Sequence, residues 1–141
     1  MERHVPFAVP LLAASVAQGG QAPAIAPQPT LLAPIEATNR HDVEAFVATF
    51  SDDAEVLELA TGAVLGRGAA DIRAFYGAHF KANPALHTEV IPRLVQGDFI
   101  IDQERLTGLL TGPGGSERPP VTAVVVSEIR EGLIRRAWIV R

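Results

Sequence analysis

Hydrophobic positions recur along this chain with two periods, and the change from one to the other lays out the architecture. Val43, Phe46, Val47 and Phe50 fall at i, i+3, i+4 and i+7, the spacing of one buried helical face, with Asp42 placed to cap the helix start. Ahead of them LLAPIEAT, residues 31–38, reads as a short apolar helix that accepts Pro34 in its first turn, where a missing N–H costs nothing. Residues 54–60 alternate as a strand, Gly62 supplies a turn, and residues 63–65 return as a short partner. A further helix over residues 69–83 sets Ile72, Phe75, Tyr76, His79 and Phe80 on one stripe and stops before Pro84.

After Pro84 the period falls to two. Leu86, Thr88, Val90, Pro92 and Leu94 share one face, and Gln96-Gly97-Asp98 turns the chain into a strand over 99–110. GPGGSERPP at 112–120 is a loop by composition; VTAVVVSEI follows, a turn forms around Glu131-Gly132, and LIRRAWIV closes the chain. Helices followed by a run of antiparallel strands imply an α+β fold in which the helices cover one face of the sheet.

With 141 residues the chain has room for one domain with a real core. The formal net charge of −4 and the lack of any Lys/Arg run longer than Arg135-Arg136 argue against a hold on phosphate backbones, so nucleic acid is not expected as a partner. No cysteine is present, which excludes disulfides, thiolate metal sites and a cysteine nucleophile. The opening MERHVPFAVPLLAASVA has Arg3 and His4, then an apolar stretch, then small residues, the three-part shape of an export signal. That stretch is too short to span a membrane. The expected organisation is a signal peptide over residues 1–17, cut after Ser15-Val16-Ala17, a Gly, Ala and Pro-rich linker over 18–30, and a domain over 31–141, exported to the periplasm or secreted. The alternative is an Ala/Pro-rich leader on a cytoplasmic protein.

Several side chains invite a chemical reading beside a structural one. By alternation Glu58 shares a face with Ala54 and Val56, opposite Leu57 and Leu59, so it is either a carboxylate held in an apolar pocket or the wet side of a strand. His79 lies on the apolar stripe of its helix and is either a satisfied buried imidazole or a pocket acid or base; Tyr76, one turn earlier, anchors helix to sheet or offers a phenolic donor. Asp102 and Glu104 share a face with Ile100 and Leu106, while Gln103 and Arg105 share the other with Phe99 and Ile101. Two half-polar faces point to a polar cavity lining or to ion pairs, with Arg135 or Arg136 as cross-strand partners. Trp138 alternates with Ile134, Arg136 and Val140 and serves as core packing, pocket wall or dimer contact. His87 and Glu89 on one face do not make a metal site, LGRG lacks the length and lysine of a phosphate loop, and Ser116 has no nucleophile-elbow context.

The segments NRHDVEAFVATFSDDAEV, LGRGAADIRAFYGAHF, QERLTG and EIREGLIRRAWIV, within residues 31–141, resemble the nuclear transport factor 2-like superfamily, especially its SnoaL-like and ketosteroid isomerase-like branches. The resemblance implies a curved antiparallel sheet wrapped around three helices in a cone-shaped, cystatin-like α+β roll. It also implies an apolar pocket for a small hydrophobic molecule, no cofactor, no metal and a homodimer through the sheet face. Glu58 falls where the isomerase-like branch carries its proton-shuttling aspartate. Pro34 and about Val125 fall where that branch carries the tyrosine and the protonated aspartate of its oxyanion hole; neither side chain can donate, which argues against steroid isomerisation by that route. What the resemblance leaves open is an isomerase or lyase acting on a hydrophobic oxygenated substrate, with Glu58, His79 and Asp102 catalytic and Tyr76, Phe80, Glu104 and Trp138 around the substrate. The alternative is a module of the same fold that binds a ligand, a partner or a second copy of itself without turnover.

Overall fold

The computed structural model describes residues 32–141; the leader and linker expected over residues 1–30 lie outside them. Three helices, α1 (Ala33–Asn39), α2 (Val43–Val47) and α3 (Gly68–Ala82), accompany six strands. The strands are β1 (Phe50–Glu58), β2 (Val64–Arg67), β3 (His87–Gln96), β4 (Phe99–Thr107), β5 (Val121–Arg130) and β6 (Leu133–Val140). They form one curved, unclosed sheet in the order β2-β1-β6-β5-β4-β3. The α+β architecture is as expected. The join between its halves is not readable from periodicity: β1 runs parallel to β6, setting Val56 beside Ala137 and Glu58 beside Ile139, while every other pairing is antiparallel.

The helices bury Ala37, Phe46, Val47, Ile72 and Phe80 against Ala54, Val56, Ile134 and Ala137 of the sheet. Asp42 caps α2 as its position implied, accepting from the Ala45 amide at 3.0 Å. The helix is shorter than its apolar spacing suggests, because the chain leaves it after Val47 and Phe50 opens β1 instead. Phe50 still reaches the same core, its ring 5.2 Å from that of Phe46. Periodicity reported a shared destination there, not a shared helix.

α1 is held across the sheet by Asn39, whose amide nitrogen donates to the Thr88 carbonyl at 2.9 Å while its oxygen accepts from the Thr88 amide at 2.7 Å. His41, at φ 53°, turns the chain between α1 and α2 and brings its Nε2 to 3.0 Å from the Leu86 carbonyl. These contacts place α1 as a cover over one part of the sheet's concave face.

β3 departs from the expected alternation. Its register with β4 slips between Val90 and Arg93, across Ile91-Pro92. Proline has no amide to give the ladder, and an edge strand absorbs the irregularity as a bulge. Leu94, expected on the face of Leu86 and Thr88, therefore ends 59% exposed on the outside, and Arg93 turns inward. Among the described residues, no helix is long and apolar enough to cross a membrane.

Candidate functional site

Between the concave face of the sheet and the helices lies a cavity of about 430 Å³. β4 supplies Ile100, Asp102, Glu104 and Leu106 to its wall, which settles which face of that strand looks inward. Their partners on β5 (Ser127, Val125, Ala123 and Val121) line it as well, because directly opposed residues in a ladder point to the same side. The helices contribute an aromatic wall of Phe46, Phe75, Tyr76 and Phe80, with Phe46 and Tyr76 rings 4.3 Å apart.

The polar groups in this apolar shell differ sharply in their freedom. Asp102, 8% exposed, is gripped by Arg93 through two charge-assisted hydrogen bonds, Nε to Oδ1 at 2.6 Å and an Nη2 contact to Oδ2 at 2.7 Å. Both carboxylate oxygens are thus taken, and the partner is Arg93, not the expected Arg135 or Arg136. Arg136 instead reaches Glu55 at 3.4 Å.

Glu104 is the opposite case. Burial raises its carboxyl to about 7, the charge of Asp102 pushes the same way, and Arg93 opposes them. Among the described residues no donor or cation engages its oxygens. Tyr76 likewise has no hydrogen-bond partner there; burial, reinforced by Glu104, pushes its phenol far up, and it stays protonated. No side-chain oxygen or nitrogen sealed from solvent lacks a partner among the described residues, so the unpartnered oxygens of Glu104 and Tyr76 are open to the cavity. His79 also lines it; burial first, then the Arg141 guanidinium, lowers its pKa, so near neutrality it is an uncharged imidazole.

Of the residues singled out from the sequence, His79, Asp102, Tyr76, Phe80 and Glu104 are brought together around the cavity, and Glu58 and Trp138 are not. Glu58 shares the inner side with Val56 and lies beside Ile139, but it ends β1, where the chain turns away. Its carboxylate accepts from Thr61 Oγ1 at 2.8 Å within that exposed turn, outside the cavity wall. Trp138 lies on the outer face because Ala137 and Ile139 flank it pointing in; there its ring lies tilted beside that of Phe99, centroids 6.4 Å apart, with the Arg136 guanidinium 5.6 Å from its ring. Pro34 and Val125 both border the cavity, so neither position offers it a side-chain donor.

Sequence reasoning missed Arg93, Arg118 and Arg141. Pro92 inside a strand was the available sign that the next residue would leave the expected face. Arg118 sits in a loop and Arg141 follows the last strand, and neither position has a period to read.

A carboxyl raised to about 7 and a phenol, both open to an apolar hollow under a bent sheet, are the ingredients of a small-molecule site. Residues 32–137 match the model of the SnoaL-like domain. Among solved structures, an uncharacterised cystatin-fold protein from Novosphingobium aromaticivorans is 27% identical with a TM-score of 0.72, over 79% of this chain and 95% of that one. A candidate polyketide cyclase from Sinorhizobium meliloti is 26% identical with a TM-score of 0.65, over 78% and 92%. A protein of ketosteroid isomerase-like fold from Catenulispora acidiphila, solved with trimethylamine, is 16% identical with a TM-score of 0.67, over 79% and 83%. No curated protein matches the chain in sequence. With three quarters of its length under one family model and this cavity at its centre, the chain belongs to the SnoaL-like domain family.

Proposed function

We propose that the protein performs proton-transfer chemistry on a small, hydrophobic, carbonyl-bearing molecule, as an isomerase, lyase or cyclase, with Glu104 as the acid–base group. The observation that carries this reading is the contrast between two neighbouring carboxyls: Asp102 is neutralised by Arg93, and Glu104 is unpartnered and held near 7. A base whose pKa matches the working pH combines a usable fraction of its ionised form with a real affinity for the proton it must take. In the proposed step Glu104 removes a proton from the carbon next to the substrate carbonyl, the C–H electron pair moves into the new C=C, and charge develops on the oxygen. The Tyr76 hydroxyl donates a hydrogen bond to that oxygen. Protonated Glu104 then returns the proton at another carbon, giving isomerisation, or the enolate carbon attacks a second carbonyl, whose π pair moves onto its oxygen and takes the proton from Glu104, giving ring closure and a hydroxyl. The Sinorhizobium relative described as a candidate polyketide cyclase fits that second outcome. Glu58, bound to Thr61 away from the cavity, has no part in it.

The test is exchange of hydrogens next to the carbonyl of hydrophobic ketones in D₂O, followed by NMR. The wild-type protein accelerates exchange for at least one such ketone, and Glu104→Gln loses about 100-fold or more of that acceleration, the usual share of a positioned general base. Equal exchange by the variant removes the assignment.

A second surface supports a proposal of its own, that two copies pair through the outer face of the sheet. Val64, Leu57, Trp138, Val126, Ile101 and Leu94, one residue from each strand in sheet order, are register partners in an unbroken apolar row. Leu94 and Val64 are 59% and 45% exposed at its ends. Beside it runs a row of alternating charge, Arg67, Glu55, Arg136 and Glu128. A row that reads plus, minus, plus, minus meets its own antiparallel copy with opposite signs in register, which suits a two-fold pair.

A further inference from the structure

The charges on the cavity wall are unevenly distributed, and their placement speaks to the ligand. Phe50 pairs with Ile134 at one end of the sheet, and Ile100 and Ile129 line the wall beside them, so that end is apolar apart from Ser127. The other end is cationic. Arg118 enters the wall from a loop pinned to the end of α3: its amide donates to the Leu109 carbonyl at 2.7 Å, and the Leu110 amide donates to Asn83 Oδ1 at 2.9 Å, one turn beyond His79. Arg141 enters from the end of β6. Val140 pairs with Val124 and Ala123 pairs with Glu104, so the residue after Val140 falls in the row of Ala123 and Glu104, about 10 Å from Glu104 across two strand spacings. Among the described residues no side-chain carboxylate lies within ion-pair distance of Arg118 or Arg141. Arg141 is also near enough to act on both Tyr76 and His79, favouring negative charge on the phenol and disfavouring positive charge on the imidazole.

Two guanidinium groups from separate elements thus border the same end of a mostly apolar hollow, and of the cavity's two carboxyls Asp102 is already paired with Arg93 while Glu104 stands two strands from Arg141. We infer that the ligand is a hydrophobic carboxylic acid, bound with its apolar body toward Phe46, Phe50 and Ile100 and its carboxylate between Arg118 and Arg141. This rests on the reading of the cavity as a small-molecule site and adds the class of molecule. Guanidinium suits the assignment because its planar fork matches a carboxylate in two hydrogen bonds. The placement also orders the substrate: with its anion fixed at the arginines, a carbonyl deeper along the molecule comes to the row of Glu104.

Calorimetric titration at pH 8 with 2-naphthoate and 2-naphthamide, nearly identical in shape and different in charge, tests it. Naphthoate binds at least tenfold more tightly, and raising NaCl from 20 to 500 mM narrows the gap, as screening requires. Arg118→Gln and Arg141→Gln each weaken naphthoate about fivefold and leave naphthamide within twofold; Arg141→Lys keeps part of the preference. If both probes bind equally, or the arginine variants do not separate them, the carboxylate inference falls and the cavity reading stands. If neither binds, both fall. Tighter binding of 2-naphthyl phosphate than of naphthoate overturns the choice of carboxylate.

Discussion

Arg93 and Asp102 face each other across the β3–β4 ladder and share two hydrogen bonds, the shorter 2.6 Å, at side chains only 20% and 11% exposed. This pair depends on the bulge at Ile91-Pro92, which swings Arg93 to the inner side, and it decides which of two adjacent carboxyls is left for chemistry.

Removing one partner of such a pair strands the other charge in a poorly solvated place, so Arg93→Ala costs about 3 kcal/mol in urea unfolding. Replacing both with leucine leaves no stranded charge and recovers most of that loss. A double variant no more stable than Arg93→Ala shows that the pair is not what Arg93 contributes.

Glu104 gives stability a pH dependence of known sign. Its folded-state pKa, about 7, lies above the ordinary 4.5, so between those values the folded protein holds more proton than the unfolded chain. Stability from this group is fully present below about pH 4.5, is lost as pH rises toward 7, and is flat above. Glu104→Gln has no such penalty. Relative to wild type the variant gains on the order of 2 kcal/mol between pH 5 and pH 8, measured by chemical denaturation. A pH-independent difference between the two proteins means that Glu104 ionises as it would in water.

The three-helix count and the long strands were legible because each rests on one period, as with Ile72, Phe75, Tyr76, His79 and Phe80 at helical spacing; alternation also put Ile100, Asp102, Glu104 and Leu106 on one face of β4, but with both faces half polar it did not say which looks inward. Illegible features were those where two segments meet. Glu58 looked suited to a pocket from its own strand, but where the turn aims its carboxylate depends on Thr61. Trp138 shares alternation with residues of either face until Ala137 is known to pack inward against Val56. Arg93 lost its period at a bulge, and the Arg118–Arg141 juxtaposition joins a loop to a strand end more than twenty residues away.

Gly108 follows β4 at φ +75° with the backbone of Ala85 and Leu86 directly against it; an added Cβ would overlap the Ala85 carbonyl. Backbone cannot step aside as a side chain does. Gly108→Ala therefore costs more than about 2 kcal/mol and loosens the adjoining cavity residues Leu86 and Leu109, visible as lost naphthoate affinity in whatever folded protein remains. Wild-type stability in this variant would mean that the loop re-routes freely.

Export is read from residues 1–17 alone, and mass spectrometry of the mature protein tests it. Cleavage after Ala17 leaves Gln18 as the first residue when the full chain is expressed in a secreting host. An intact Met1 terminus in the cell's soluble fraction returns residues 1–30 to the alternative of an uncleaved leader.

The outer face of the sheet makes the last prediction. In a lone copy Leu94 is 59% exposed, so Leu94→Glu places a charge where water already reaches and leaves the fold unharmed. Across a pair formed on the row from Val64 to Leu94, the same charge is forced against apolar surface or a facing glutamate, and association weakens about 100-fold or more. Trp138→Ala, at the row's centre, removes the largest contact and does the same at greater risk to the sheet. Sedimentation equilibrium across micromolar concentrations distinguishes the outcomes: wild type at twice the chain mass and Leu94→Glu at the chain mass with unchanged circular dichroism support pairing through this face. A monomeric wild type, or a variant that still dimerises, rules it out, and leaves the Glu104 chemistry to be judged on a single copy.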